Sequence, residues 1–290
     1  MIATLFLLLI TVNSSPACAL PASRVHQDVF SSDVAASSTS PAMDRSYRPA
    51  SPAADASTAF TRTVFLPLVA RQPSACQPIP GVQYGTLSVI DPLTSPAEEQ
   101  PDINLALRGY EVTDAYNGLV DYGVSGDPKA PQLKTLFADR RLPAFATVFQ
   151  VYDWDWGCKC RGELLTNYDV TLAGLGVAPG EVLFLPDSGY NIGNDYEALV
   201  LYATEDRITL KYTGEDHVVW GYTIHVENVC VEPSLLALYR AWNDAGRGRL
   251  PALRGGQPFG RARGTEIGVA IRDTGTFMDP RSRRDWWQEK

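Results

Sequence analysis

The stretch Ala144-Phe145-Ala146-Thr147-Val148-Phe149-Gln150-Val151-Tyr152 decides the reading of the fold. β-Branched and aromatic side chains dominate it, no Gly or Pro interrupts it, and such residues suit a pleated, half-buried surface. The stretch predicts a strand. Residues 181–185, 198–203, 207–212, 218–226 and 266–272 read the same way. Their joints carry turn chemistry: Pro179-Gly180, Asp187-Ser188-Gly189, Gly193-Asn194-Asp195, Thr213-Gly214-Glu215-Asp216 and Asp273-Thr274-Gly275. One helix interrupts the series. After Pro233, Ser234 is placed to cap, and Leu235, Leu236, Leu238, Tyr239 and Trp242 recur at helical spacing up to Gly246. Residues 85–122 resist assignment, because Pro92, Pro96 and Pro101 cut their apolar runs. The expectation is a mostly β fold, an antiparallel barrel or sandwich with one inserted helix.

Outward from this core the composition changes. Leu5 to Val12 is apolar apart from Thr11, too short to span a bilayer, and ends at Asn13-Ser14-Ser15-Pro16 before Ala17-Cys18-Ala19. Small residues at both recognition positions mark a secretory signal peptide over residues 1–19, with cleavage after Ala19 favoured over lipidation at Cys18. Residues 20–63 are rich in Ser, Ala, Pro, Asp and Thr with no apolar period, the composition of a disordered linker. Residues 64–290 then form a single β-rich domain, opened by the run Val64-Phe65-Leu66-Pro67-Leu68-Val69, an edge strand in the plainest reading. No later segment is apolar enough to cross a membrane as a helix. The net charge of −8 lacks the basic footprint that nucleic acid or an anionic membrane requires. Arg281, Arg283 and Arg284 read as a solvated basic tail, and Trp286-Trp287 as an apolar clasp.

Removal of the leader leaves Cys76, Cys158, Cys160 and Cys230, an even count suited to disulfides in an oxidising compartment. Cys158 and Cys160 would share a strand face and so not bridge each other, which sends one to Cys230 and the other to Cys76. The alternatives are a zinc or copper site built from Cys158, Cys160 and His225 or Cys230, or free thiols. Tyr152-Asp153-Trp154-Asp155-Trp156-Gly157 places Trp154 and Trp156 on one side of a strand and Asp153 and Asp155 on the other. Rings flanked by carboxylates can grip sugars, but a core strand has the same pattern, and burial of both rings is the expectation. Asp153, Asp155, Glu163 and Asp169 are candidates for an acid–base pair in glycoside cleavage.

Leu253-Arg254-Gly255-Gly256-Gln257-Pro258-Phe259-Gly260-Arg261 is similar to the V-K-A-G-Q-V-I-G segment of lysostaphin-like (LytM-type) zinc endopeptidases. Residues 266–273, then Gly275 and Met278-Asp279-Pro280, resemble that family's closing H-L-H-F-E-V-R and V-D-P. Pro179-Gly180-Glu181-Val182 with Ser188-Gly189 and Tyr222-Thr223-Ile224-His225-Val226 resemble its earlier motifs, so the likeness runs over residues 165–281. The resemblance implies a half-open β barrel. It also implies a zinc held by an H-x-x-x-D motif and the second His of H-x-H. Here Asp169 falls at the carboxylate ligand and His225 at a catalytic histidine, while the first ligand reads Leu165 and the H-x-H positions read Glu266 and Gly268. Two of three metal ligands are missing, and only His26, His217 and His225 exist in the chain, so no metal or other cofactor is expected. The sequence therefore points to an extracytoplasmic, secreted or cell-surface domain of degenerate peptidase outline, non-catalytic and binding wall glycan or peptide through Trp154, Trp156, Asp153 and Asp155. The alternative is a wall hydrolase with an unconventional site.

Overall fold

A computed structural model describes residues 76–123 and 126–288. The leader, the linker, His26 and the Val64–Val69 run lie outside the described residues. In chain order the elements are β1 (Gly85–Ser88), α1 (Leu105–Arg108), β2 (Tyr110–Val112), β3 (Phe145–Asp155), β4 (Cys160–Leu164), β5 (Leu172–Gly176), β6 (Val182–Phe184) and β7 (Ala198–Ala203). They continue with β8 (Arg207–Lys211), β9 (Tyr222–Glu227), β10 (Val229–Val231), α2 (Pro233–Asp244), β11 (Arg249–Leu253), β12 (Pro258–Ala262), β13 (Glu266–Asp273), β14 (Thr276–Met278) and α3 (Arg283–Trp286). The mostly β architecture with one longer inserted helix is as the strand periodicity indicates.

The large sheet runs β1-β11-β7-β8-β9-β13-β5-β3-β2, with β14 on β13 and β4 on β3, and a small sheet is ordered β10-β12-β6. All these pairings are antiparallel. β8, β9 and β13 are central. Thr209 lies opposite His225, which lies opposite Ala270; two residues along, Lys211, Thr223 and Arg272 align. Side chains alternate between faces, so Ile208, Leu210, Ile224, Val226, Ile267, Val269 and Ile271 all enter the main core on the other side. Both faces of these strands are covered, which is why β9 is buried throughout and its sequence alternates only loosely.

α2 closes against the sheet through Leu235, Leu236 and Tyr239. Its cap is Glu232 rather than Ser234: Glu232 Oε2 accepts from the Ser234 and Leu235 N–H groups at 2.8 and 3.1 Å, with Pro233 as the first helical residue. Trp286 and Trp287 are buried and donate to the Asp279 and Pro280 carbonyls at 2.8 and 2.9 Å. Arg281 departs from the solvated-tail reading, since it is buried in a bidentate pair with buried Asp279. Arg283 and Arg284 are exposed. No helix among the described residues is long and apolar enough to cross a membrane.

The cysteines form two disulfides, but not the expected pairs. Cys76 bonds Cys230, and Cys158 bonds Cys160 with 5.3 Å between their Cα atoms. The same-face argument fails because Cys158 and Lys159 belong to the turn rather than to a strand, and Lys159 adopts a left-handed φ of 53°. Local reversal of the backbone brings the two sulfurs together.

Burial of the tryptophans is overturned as well. Trp156 is 56% exposed and Trp154 only half-buried. β2 reaches as far as Val151 and β5 only to Phe149. Beyond them β3 pairs only with β4 among the described residues, so the ribbon 152–164 runs past the sheet; Arg108 of α1 touches it, and none of its residues belongs to the buried apolar clusters.

Candidate functional site

The second face of β8, β9 and β13 carries a row of buried polar residues, among them Thr209, Lys211, Thr223, His225, Glu227 and Arg272. It is roofed by the segment around α1. Leu105 packs there with Val151, Leu172, Ala270 and Phe277, and Leu165 and Phe149 lie against them. Asp102 sits at the roof's edge, accepting from Arg108 at 2.8 Å and from Arg272 at 3.0 Å. Burial alone would raise its pKa, but the two guanidinium groups hold it below the usual carboxylate range. Both guanidinium groups also lie over the Phe277 ring, at 5.6 and 4.6 Å. Burial, reinforced by Arg108, pulls Arg272 down to about 10 against the opposing pull of Asp102.

His225 lies under this lid, 1% exposed, its ring stacked 6.0 Å from Phe277. Thr209 Oγ1 spends its single proton on the Ile103 carbonyl at 2.6 Å, so at 3.0 Å it accepts from His225 Nδ1–H. Burial and the positive charges of Arg272 and Arg108 depress the imidazole to about 3. The ring is therefore neutral near pH 7 with its lone pair on Nε2, which has no hydrogen-bond partner among the described residues. Asp169 is exposed and is not among the charged groups that act on His225. The structure does not bring this sequence-predicted pair together.

The zinc site implied by the resemblance does not fit these surroundings. Leu165 packs against hydrocarbon, Gly268 offers no donor, and His225 faces two cations that would oppose a dication. Among the described residues no three His, Cys, Asp or Glu side chains converge on a metal position.

The same face opens at its other end. A cleft of ≈ 380 Å³ is lined by Tyr110, Phe149, Leu172 and Gly268 together with the polar residues Asp206, Arg207, Glu227, Asn228, Arg263 and Glu266. Glu227 follows His225 by two residues and so shares its face, and it lies opposite Gly268. A Cβ on Gly268 would stand 3.3 Å from both the Glu227 Cβ and Leu172 Cδ2, so glycine keeps this part of the cleft open. Gly174 does the same for Glu266, whose Oε1 occupies the space a Cβ would need. Glu266 also accepts from Thr147 Oγ1 at 3.0 Å. Burial pushes Glu227 up to about 7 despite Arg207 3.6 Å away, so near neutral pH it holds a proton part of the time. Glu266 is one strand step from Gly268, a diagonal neighbour of Glu227 with Cβ atoms about 7 Å apart. The cleft thus offers an acid, two further carboxylates, two guanidinium groups, an amide and aromatic rings.

The remaining predicted ligand residues lie on the ribbon. Asp153 pairs with Arg108 at 3.3 Å, and Asp155 Oδ1 accepts from the Gly157 and Cys158 N–H groups at 2.7 and 3.3 Å, closing the turn. Neither these nor Trp154 and Trp156 line the cleft. The sequence marked Glu266 and Gly268 only as altered H-x-H positions, Gly268 being the lost ligand, and did not single out Glu227, Arg207 or Tyr110 as site residues. The available signal was Glu227 itself, a carboxylate in phase with Thr223 and His225 on a strand whose other positions are apolar or aromatic. Compared with protein-family models, curated proteins and solved structures, the chain matches none.

Proposed function

We propose that this is an extracytoplasmic domain that binds bacterial cell-wall material, glycan or its peptide, in the cleft between Tyr110 and Glu227. The observation that carries the reading is the cleft itself: partly exposed aromatic rings line it together with carboxylates, guanidinium groups and an amide. Rings cover the C–H faces of sugars, and the charged groups exchange hydrogen bonds with hydroxyl, amide and carboxylate groups. Two further features support it. The cleft includes Gly268, the position that the peptidase resemblance assigns to metal ligation, and Glu266, the other position of the H-x-H motif. Two disulfides suit an oxidising compartment.

The test is retention of the mature chain on purified peptidoglycan, competed with soluble sugar oligomers and with stem peptides. Glu266→Gln and Tyr110→Ala should each weaken retention at least tenfold while leaving the melting temperature within a few degrees. Undiminished retention in both variants, or none in the native chain, overturns the reading. A carboxylate hydrolase is the second reading, favoured by the proton that Glu227 holds up to about pH 7. It predicts release of soluble reducing sugar from the wall, abolished by Glu227→Gln.

A further inference from the structure

The two disulfides occupy opposite situations. Cys76–Cys230 spans 154 positions of sequence and ties the exposed Cys76 to Cys230, 3% exposed in β10. Cys158–Cys160 spans two positions, at the tip of the β3–β4 ribbon. Cys158 and Lys159 are exposed, and Cys160 is half-exposed. A cross-link stabilises chiefly by restricting the unfolded chain, and a three-residue ring restricts very little. The turn also has its own supports. Asp155 Oδ1 holds the Gly157 and Cys158 N–H groups, and Asp155 pairs with Cys160 across the ribbon. Opening the short disulfide therefore leaves a dithiol already positioned to close again.

Its surroundings suit exchange chemistry. Lys159 lies between the two sulfurs in sequence, an exposed cation of the kind that favours a thiolate. The opposing carboxylate, Asp155, is engaged by two backbone N–H donors. Beside the sulfurs, Trp156 presents an apolar ring that is 56% exposed on a ribbon that belongs to neither buried apolar cluster.

We propose that Cys158–Cys160 is a thiol–disulfide exchange centre acting on the cysteines of other exported proteins, with Trp156 as the apolar contact for the incoming chain. A partner thiolate attacks Cys158 Sγ. A mixed disulfide forms, the Cys158–Cys160 bond breaks, and Cys160 leaves as a thiolate that takes a proton from water. The partner's second thiolate then attacks its own sulfur in the mixed disulfide, forming the partner's disulfide and releasing Cys158. The partner loses two electrons and the Cys158/Cys160 pair gains them; a small-molecule disulfide such as oxidised glutathione returns the pair to its starting state.

The experiment equilibrates the full mature chain with graded ratios of reduced to oxidised glutathione, traps it with acid and an alkylating agent, and quantifies each cysteine peptide. Cys158–Cys160 should open at a ratio at least tenfold less reducing than Cys76–Cys230, with the melting temperature nearly unchanged. In the same buffer the native chain should accelerate the oxidative reactivation of reduced ribonuclease at least threefold over a Cys158→Ser/Cys160→Ser variant. The chain alkylated selectively at Cys158 and Cys160 provides the same control without substitution. Trp156→Ala should slow reactivation without moving the opening ratio. Simultaneous opening of both disulfides, or earlier opening of Cys76–Cys230, overturns the proposal. So does easy opening of the short disulfide without faster reactivation.

Discussion

The two faces of β8, β9 and β13 are made by alternate residues of the same three strands, yet they do different work. One face presents Ile208, Leu210, Ile224, Val226, Val269 and Ile271 to a continuous apolar core. The other presents Thr209, Lys211, Thr223, His225, Glu227 and Arg272, buried as completely but held by ions and hydrogen bonds under the α1 roof. Lys211 Nζ, Thr223 Oγ1 and His225 Nε2 have no hydrogen-bond partner among the described residues. Burial pulls Lys211 down to about 8. Stability resides on the first face. Ionisable groups with displaced pKa values, and the opening to solvent at Glu227, reside on the second.

The sharpest way to break this contrast is a pair of substitutions one residue from facing positions. Leu210→Ala should cost about 2–5 kcal/mol through lost burial and the cavity left behind. Thr223→Val removes a buried hydroxyl without a partner and keeps its volume, so it should be neutral or slightly stabilising. Urea denaturation of both variants checks the ranking. A larger loss from Thr223→Val than from Leu210→Ala would mean that the polar face carries the fold.

Acid titration sharpens the picture on the polar face. Glu227 is raised from 4.5 to about 7, so the folded chain holds a proton that the unfolded chain releases between those values, and stability falls as pH rises through that window. His225 is lowered from 6.5 to about 3, so there the unfolded chain holds the extra proton and stability falls as pH drops from 6.5 toward 3. Between pH 4.5 and 6.5 the two contributions oppose each other. Glu227→Gln should expose the histidine slope, up to about 1.4 kcal/mol per pH unit, as a new loss of stability on acidification. Identical pH profiles for the native chain and the variant would contradict the raised pKa of Glu227.

The smallest effect is expected on the ribbon. Trp156→Ala should change stability by no more than about 0.5 kcal/mol, because the ring is exposed in the turn beyond β3 and belongs to neither buried apolar cluster. A loss of several kcal/mol in a thermal melt would show that the ring is packed after all.

β3, β7, β8, β9 and β13 were legible because β-branched and aromatic runs bounded by turn residues report local preference directly. α2 was legible from its spacing and from Pro233. β5 was missed because Leu172-Ala173-Gly174-Leu175-Gly176 has small residues where strands usually carry bulk; Gly174 is small to admit the Glu266 carboxylate. β2 is three residues, too short for any period to show. At the cleft, Glu266 and Gly268 drew notice only through the resemblance, and Tyr110 lay in the stretch that resisted assignment.

By itself the sequence determined the β-rich class, the place of the inserted helix and the turn-bounded strands, since propensity and periodicity act between near neighbours. The tertiary structure decided which cysteines meet, which tryptophans find a core and which carboxylates face one another. Cys158 meets Cys160 because a single left-handed residue reverses the chain. Trp156 stays exposed because β2 and β5 end before the ribbon does. Glu227 and Glu266 share a cleft because the register of β9 on β13 sets glycine between them. Register and strand length relative to a partner are properties of pairs of segments distant in sequence, and no stretch read alone contains them.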